Sequence, residues 1–189
     1  MSLSSLRKRR TTRCMGIDAS TNSLAFAVLQ GDVVVKYGEI FFHGATVFDR
    51  LNDARAKTEG LLEEFDIEYV CIEASVMVRS ISVAIKLAYV YGAIIGELLK
   101  GGATVVEATP IAWQAFIGNP NLTAAEKAQI KKDNPGKSKS FYQVEGRKIR
   151  KQRTIKWVYD TFGIELKSDN VADAFGLSYY ASNHLTCRK

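Results

Sequence analysis

Three acidic residues stand where acids ordinarily destabilise a fold. Asp18 follows the apolar run Met15-Gly16-Ile17, Glu73 follows Val70-Cys71-Ile72, and Asp173 lies within Asn170-Val171-Ala172-Asp173-Ala174-Phe175. Carboxylates are rarely buried without a partner. No lysine or arginine occupies an obvious partnering position beside these three. A divalent cation would satisfy all of them at once. Hydrolysing a phosphodiester requires an activated water and a stabilised leaving oxygen. Two magnesium ions about 4 Å apart supply both, and hard oxygen ligands suit them. Taken singly, each acid also has a structural reading. Asp18 could bond nearby amides, Glu73 could sit at a strand exit, and Asp173 could close a capping box opened by Asn170. The case for chemistry rests on the set.

The elements that must position these acids are legible as a pattern. Met15 to Ala19 and Leu24 to Leu29 read as strands. A hairpin turn at Gly31-Asp32 leads to a third strand, Val33 to Phe42. Thr46 to Phe65 has helical spacing of Val47, Leu51, Ala54, Thr58, Leu61, Leu62 and Phe65. Tyr69 to Ile72 is a buried strand ending at Glu73, and Ser80 to Lys100 is a long helix stopped by Gly101-Gly102. In that helix Ala84, Ala88, Gly92 and Gly96 form a small-residue stripe, read as tight packing on the protein's own sheet in preference to a subunit contact. Thr104 to Glu107 is a strand, and Thr109 caps a short helix with Pro110 in its first turn. Residues 119–147 read as a mobile loop or partial helix, Lys148 to Phe162 as a basic helix, and Asn170 to Asn183 as the last helix. The expectation is one α/β domain over residues 13–189, a mixed five-stranded sheet flanked by helices. A flexible basic tail at residues 1–12 precedes it, and a basic insertion occupies about 119–150.

Composition narrows the function. With 47% apolar residues and three prolines, the chain is not a disordered one. A net charge of +6 leans toward a polyanionic partner. From Lys127 to Lys156 there are eleven Lys or Arg against Asp133 and Glu145, with Phe141 and Tyr142 interleaved. Within it Lys137, Lys139, Arg147, Lys148, Arg150, Lys151 and Arg153 are the candidate phosphate contacts. Phe141 and Tyr142 either stack on bases or anchor the loop. The only histidines, His43 and His184, argue against a zinc finger or a histidine-metal nuclease. Cys14, Cys71 and Cys187 make no disulfide framework and fit a reducing cytoplasm. The start, Leu6-Arg7-Lys8-Arg9-Arg10, does not read as a secretory signal. Ile81 to Leu99 holds Lys86 and Glu97 and is expected as a buried helix, not a membrane span.

Gly16-Ile17-Asp18, Ile72-Glu73 and Asn170-Val171-Ala172-Asp173-Ala174, in this order, resemble the RuvC-type Holliday junction resolvases of the ribonuclease-H-like superfamily. The resemblance runs from about Cys14 to Tyr180. The stretch from Lys151-Gln152-Arg153 to Asp173-Ala174-Phe175 also looks like the phage and poxvirus branch. The resemblance implies a homodimer that binds a four-way DNA junction and nicks two strands using magnesium or manganese. It makes Asp18, Glu73 and Asp173 metal ligands and Asn170 the fourth. The family usually has Asp or His at that fourth position. Three readings of the departure stand. Asn170 ligates directly, Asp169 substitutes from the same helix face (or serves as a helix cap), or residue 170 carries an engineered Asp-to-Asn exchange. Some resolvases place an aromatic wedge three residues after the second acid, where this chain has Val76 beside Met77.

Two other classes compete. Asp18-Ala19-Ser20-Thr21-Asn22-Ser23 is reminiscent of actin and sugar-kinase phosphotransferases, but the phosphate-cradling glycine is missing and the chain is short for two lobes. A junction-binding protein that has lost catalysis, or a related nuclease acting on other branched DNA or RNA, would share the same motifs.

Overall fold

Alternation along β1 (Arg13–Ala19) divides the molecule in two. Met15, Ile17 and Ala19 turn to one side, while Cys14, Gly16 and Asp18 turn to the other. The computed structural model describes residues 12–74 and 80–185. β2 (Ser23–Gln30) returns antiparallel to β1, and β3 (Val33–Phe41) pairs antiparallel with β2. Gly31 makes the β2–β3 turn at φ +63°, a conformation that costs glycine little. β4 (Tyr69–Glu73) and β5 (Thr104–Ala108) complete the sheet in parallel, giving the order β3-β2-β1-β4-β5. The expected mixed five-stranded sheet is therefore present.

The first face is covered by α1 (Val47–Phe65) and α2 (Ile81–Lys100). A capping box between Thr46 and Asp49 starts α1, which buries Ala54, Leu61 and Phe65 against Met15, Ile17, Val70 and Ile72. The buried Glu97 of α2 is held by Arg55 of α1 and by Lys100. α3 (Pro110–Phe116) begins at the expected Thr109 cap. α5 (Lys139–Phe162) and α6 (Asp169–Tyr180) cover the second face, with α4 (Ala124–Asp133) against α5. A π-helical turn, Ala181–Leu185, follows α6.

Five expectations are corrected. Residues 119–147 are largely helical, because Thr123 forms a capping box with Glu126 and Ser138 caps α5 ten residues before Lys148. α4 buries only Ile130, so it carries almost no apolar periodicity for a sequence to display. The last helix begins at Asp169, with Ser168 rather than Asn170 as its cap. α2 is not a buried helix: only Val90, Ile94, Glu97 and Leu98 are buried. Its small-residue stripe does not pack on the sheet either, since a Cβ on Gly92 or Gly96 would meet nothing within 4 Å. Among the described residues α2 is the one helix long and apolar enough, by length and composition, to cross a membrane. Thr12, assigned to the tail, is buried. Arg7 to Arg10, Val76, Met77 and Cys187 lie outside the described residues.

Candidate active site

α6 lies against β1 more closely than side chains would ordinarily permit. A Cβ on Gly16 would stand 2.0 Å from the Ala174 carbonyl oxygen and 2.4 Å from the Ser178 nitrogen. Ser178 Oγ donates to the Cys14 carbonyl at 2.8 Å. On β2, the inward residues Ala25 and Ala27 are also small and pack with Val171, Ala174 and Phe175 of α6. This close seat brings the acidic start of α6 to the end of β1, so Asp173 and Asp18 share a neighbourhood.

Glu73 arrives from the adjacent strand. β1 and β4 run parallel with Ile17 beside Ile72, so Asp18 and Glu73 leave the sheet at the same end. Trp113 of α3, fully buried, donates its indole N–H to Glu73 Oε1 at 2.9 Å. The same ring lies over Gly176, where a Cβ would come within 2.4 Å of it. The backbone carbonyl of Glu73 accepts the Tyr91 hydroxyl at 3.0 Å.

The electrostatics are those of three carboxylates, each raised by burial and close enough for their charges to act on one another. Burial, then repulsion from Asp18 and Glu73, pushes Asp173 up to about 8. Burial, then Glu73, pushes Asp18 up to about 7. Burial also raises Glu73, against the lowering effect of the Trp113 hydrogen bond, Lys151 and Arg150. Asp173 Oδ1 is buried with no hydrogen-bond partner among the described residues. An orphaned buried carboxylate oxygen within a mutually repelling set fits a hard divalent ion. As the side chains stand, no three of the described His, Cys, Asp or Glu residues converge on a single coordination point. The acids share a field, and an ion would have to draw them together.

α5 brings Lys151 and Arg150, expected from the sequence only as phosphate contacts, beside the acids, which corrects the expectation that no lysine or arginine partners them. Lys151 lowers the pKa of Asp18, Glu73 and Asp173, and it is ion-paired with Asp169. Burial would lower Lys151, but the Asp169 hydrogen bond and the surrounding acids outweigh it and its pKa rises. Burial also works on Asp169, which nonetheless falls because Lys151 bonds it. Arg150 faces Asp173 and Glu73, and its Nε and Nη2 are buried without a hydrogen-bond partner among the described residues.

Asn170 reaches toward an acid that sequence reasoning missed. Its Nδ2 donates to Glu39 Oε1 on β3 at 3.3 Å. The same carboxylate accepts Ser23 Oγ at 3.1 Å and Ser168 Oγ at 3.2 Å. Glu39 pairs with Ala25 across β3–β2, and Ala25 pairs with Asp18 across β2–β1. Directly opposed residues share a sheet face, so Glu39 and Asp18 lie on the same one.

The remaining basic candidates are spread along α4 and α5. Arg153 is paired with Glu126, and Lys148 with Glu145 at 2.6 Å. Lys139, Arg147 and Arg150 line a cleft of about 660 Å³ between α4 and α5, together with Lys127 and Lys131. Lys137 sits over the Phe141 ring. Tyr142 takes the anchoring role: its hydroxyl donates to the Asn134 carbonyl at 2.8 Å and accepts from the Lys137 amide.

A five-stranded mixed sheet in the order β3-β2-β1-β4-β5, with acids near the ends of β1 and β4 and on the last helix, is the arrangement expected of a ribonuclease-H-like nuclease. The family model for crossover junction endodeoxyribonuclease RuvC matches residues 14–132. The chain belongs to that family, whose nucleases use divalent metals. Thermus thermophilus RuvC in complex with Holliday junction substrate is similar in structure, with a TM-score of 0.64 at 16% identity, covering 90% of this chain and 94% of that one. A second Thermus thermophilus RuvC structure gives 0.60 at 16% identity, covering 90% of this chain and 95% of that one. No curated protein matches in sequence. The matched span holds Asp18 and Glu73, while Asn170 and Asp173 lie beyond it.

Proposed function

We propose that this nuclease resolves four-way DNA junctions by paired nicks, using magnesium or manganese held by Asp18, Glu73 and Asp173, with Asn170 as the fourth ligand. The observation that carries the reading is the orphaned Asp173 Oδ1, buried among acids that α6, β1 and β4 deliver to one end of the sheet. Two ions bound there would activate a water and stabilise the leaving oxygen. Trp113 orients Glu73, and the rigid seat of α6 on Gly16 holds Asp173 in place. Asp169, paired to Lys151, serves to hold that lysine rather than to bind metal.

The substrate reading is branched DNA. Arg150 connects the acids to the basic α4–α5 cleft, so a strand lying in that cleft would pass its phosphates toward the metal site. The protein acts as a homodimer through α2, whose Ile81, Val83, Ile85 and Tyr89 are exposed beside the open small-residue stripe. Two nicks need two sites, which supports this assignment. Free thiols at Cys14 and Cys71 suit a reducing cytoplasm, bacterial or of an infected host cell.

The test is cleavage of a mobile four-way junction by purified protein with magnesium. Symmetric nicks that disappear in Asp18→Asn support the enzyme. Tight junction binding without cutting under magnesium or manganese would instead make it a junction-binding module.

A further inference from the structure

Residue 170 is neutral where three neighbouring positions are acidic, and it is held by a fourth acid, Glu39. The contact fixes more than a position. An amide presents nitrogen on one side and oxygen on the other. With Nδ2 donating to Glu39, Oδ1 is the atom left to act as a ligand, and Asn170 lies three residues before Asp173 on α6, a spacing that puts both on one helix face. Glu39 itself is fastened by two hydroxyls, Ser23 Oγ from the start of β2 and Ser168 Oγ from the cap of α6. Its charge also reaches Asp18 and helps to raise that acid. A carboxylate accepting from an amide N–H pulls electron density toward the amide oxygen, which makes that oxygen a better ligand for a hard cation. Outer partners of this kind orient ligands and tune their basicity.

We infer that Glu39 is the positioning residue of this site: it locks the Asn170 amide with its carbonyl oxygen facing the metal, so that Asn170 and Glu39 together do what a single acidic ligand would do. The negative charge sits one hydrogen bond further out, and asparagine at 170 is the residue that Glu39 requires. An acid at 170 would set two carboxylates in contact. This rests on the metal-site reading above, strengthened by the unpartnered Oδ1 of Asp173 at 7% exposure.

The experiment is a double-mutant cycle read by Mn²⁺ titration calorimetry, with metal-free thermal unfolding of every variant. In the natural background Glu39→Gln should weaken Mn²⁺ binding about tenfold or more. In the Asn170→Asp background the same Glu39→Gln exchange should strengthen binding, because glutamine can donate to the new acid. Metal-free Asn170→Asp should melt lower than the natural protein, and adding Glu39→Gln should restore it. A purely structural Glu39 would give losses of the same sign in both backgrounds, which overturns the inference. An unchanged affinity in Glu39→Gln also overturns it. Should Glu39→Gln not fold, Asn170→Ala carries the test: it must lose Mn²⁺ affinity by a comparable factor, and retention overturns the inference. Asp18→Asn is the control. Mn²⁺ binding that survives it brings down the metal-site reading and this inference together. Binding lost in Asp18→Asn, with an additive cycle, brings down the role of Glu39 alone.

Discussion

Gly16 and Ala174 are in backbone contact: any side chain at residue 16 would enter the 174 carbonyl. Since β1 carries Asp18 near its end and α6 carries Asp173, this contact sets the gap between two of the three acids. Gly16→Ala should therefore destabilise the fold by about 3 kcal/mol or more, as overpacking against backbone does. The melting midpoint should drop by about 10 °C. Gly60→Ala, on an open surface of α1, should instead gain about 0.5–1 kcal/mol. Equal melting of the two variants would refute the close seat.

Trp113→Phe separates the two duties of that ring. The phenyl group can still cover Gly176, but the N–H to Glu73 Oε1 is lost. A hydrogen bond to a charged group contributes about 1.5–3 kcal/mol, and without it Glu73 should rise further. Mn²⁺ affinity should then fall more at pH 6 than at pH 8. A uniform loss at both would assign Trp113 a packing role only.

The pH dependence has a definite sign. Asp18 at about 7 and Asp173 at about 8 stand above the usual carboxylate value near 4. Between those values the folded, metal-free protein keeps protons that the unfolded chain has released. Their contribution to stability is complete below about pH 4 and is lost as pH rises through 7 and 8. Metal-free protein should melt lower at pH 8.5 than at pH 6, and Asp173→Asn should flatten that slope. Mn²⁺ must displace the same protons, so its affinity should climb from pH 6 and level off above about pH 8. Identical slopes in Asp173→Asn and the natural protein would refute the assignment.

Much of this was readable before any coordinates. The acids at 18, 73 and 173 could be found because charge at the end of an apolar run is costly and therefore conspicuous. The hairpin at Gly31 and the cap at Thr109 were equally plain, each resting on a few adjacent residues. Glu39 was not, and Lys151 was legible as a phosphate contact but not as a partner of the acids. Lys151 reaches the acids only through the packing of α5 on α6. Glu39 lines up with Asp18 only through a register that shifts at Val28/Leu29, and local sequence does not encode that shift. The helicity of α4 was hidden for a different reason: its capping box lies in a stretch with almost no buried face.

Salt dependence should rank the basic residues. Lys139 and Arg147 are exposed along the cleft, so alanine at either should lower the salt slope of junction binding by about one. Lys148→Ala should change it less, because Lys148 is already neutralised by Glu145. Sedimentation with four-way DNA across a salt series gives the slopes, and the reverse ranking would move the DNA path away from the cleft.

Ile85→Glu places a charge on the exposed apolar side of α2, away from the buried Val90, Ile94 and Leu98. It should convert a dimer into a monomer in sedimentation equilibrium with little change in melting of the single chain. A natural protein that sediments as a monomer at micromolar concentration would remove the dimer from the scheme.

Lys151 has a consequence for how such an enzyme is made and kept. Its ammonium already relieves Asp18, Glu73 and Asp173 of part of their mutual repulsion. Under the proposed metal reading, it would act as a resident placeholder for the ion. The polypeptide can therefore complete its fold before any metal is loaded, and a chelator should leave a silent, intact protein rather than an unfolded one. Supplying or withdrawing the ion becomes a reversible switch that does not require the chain to refold.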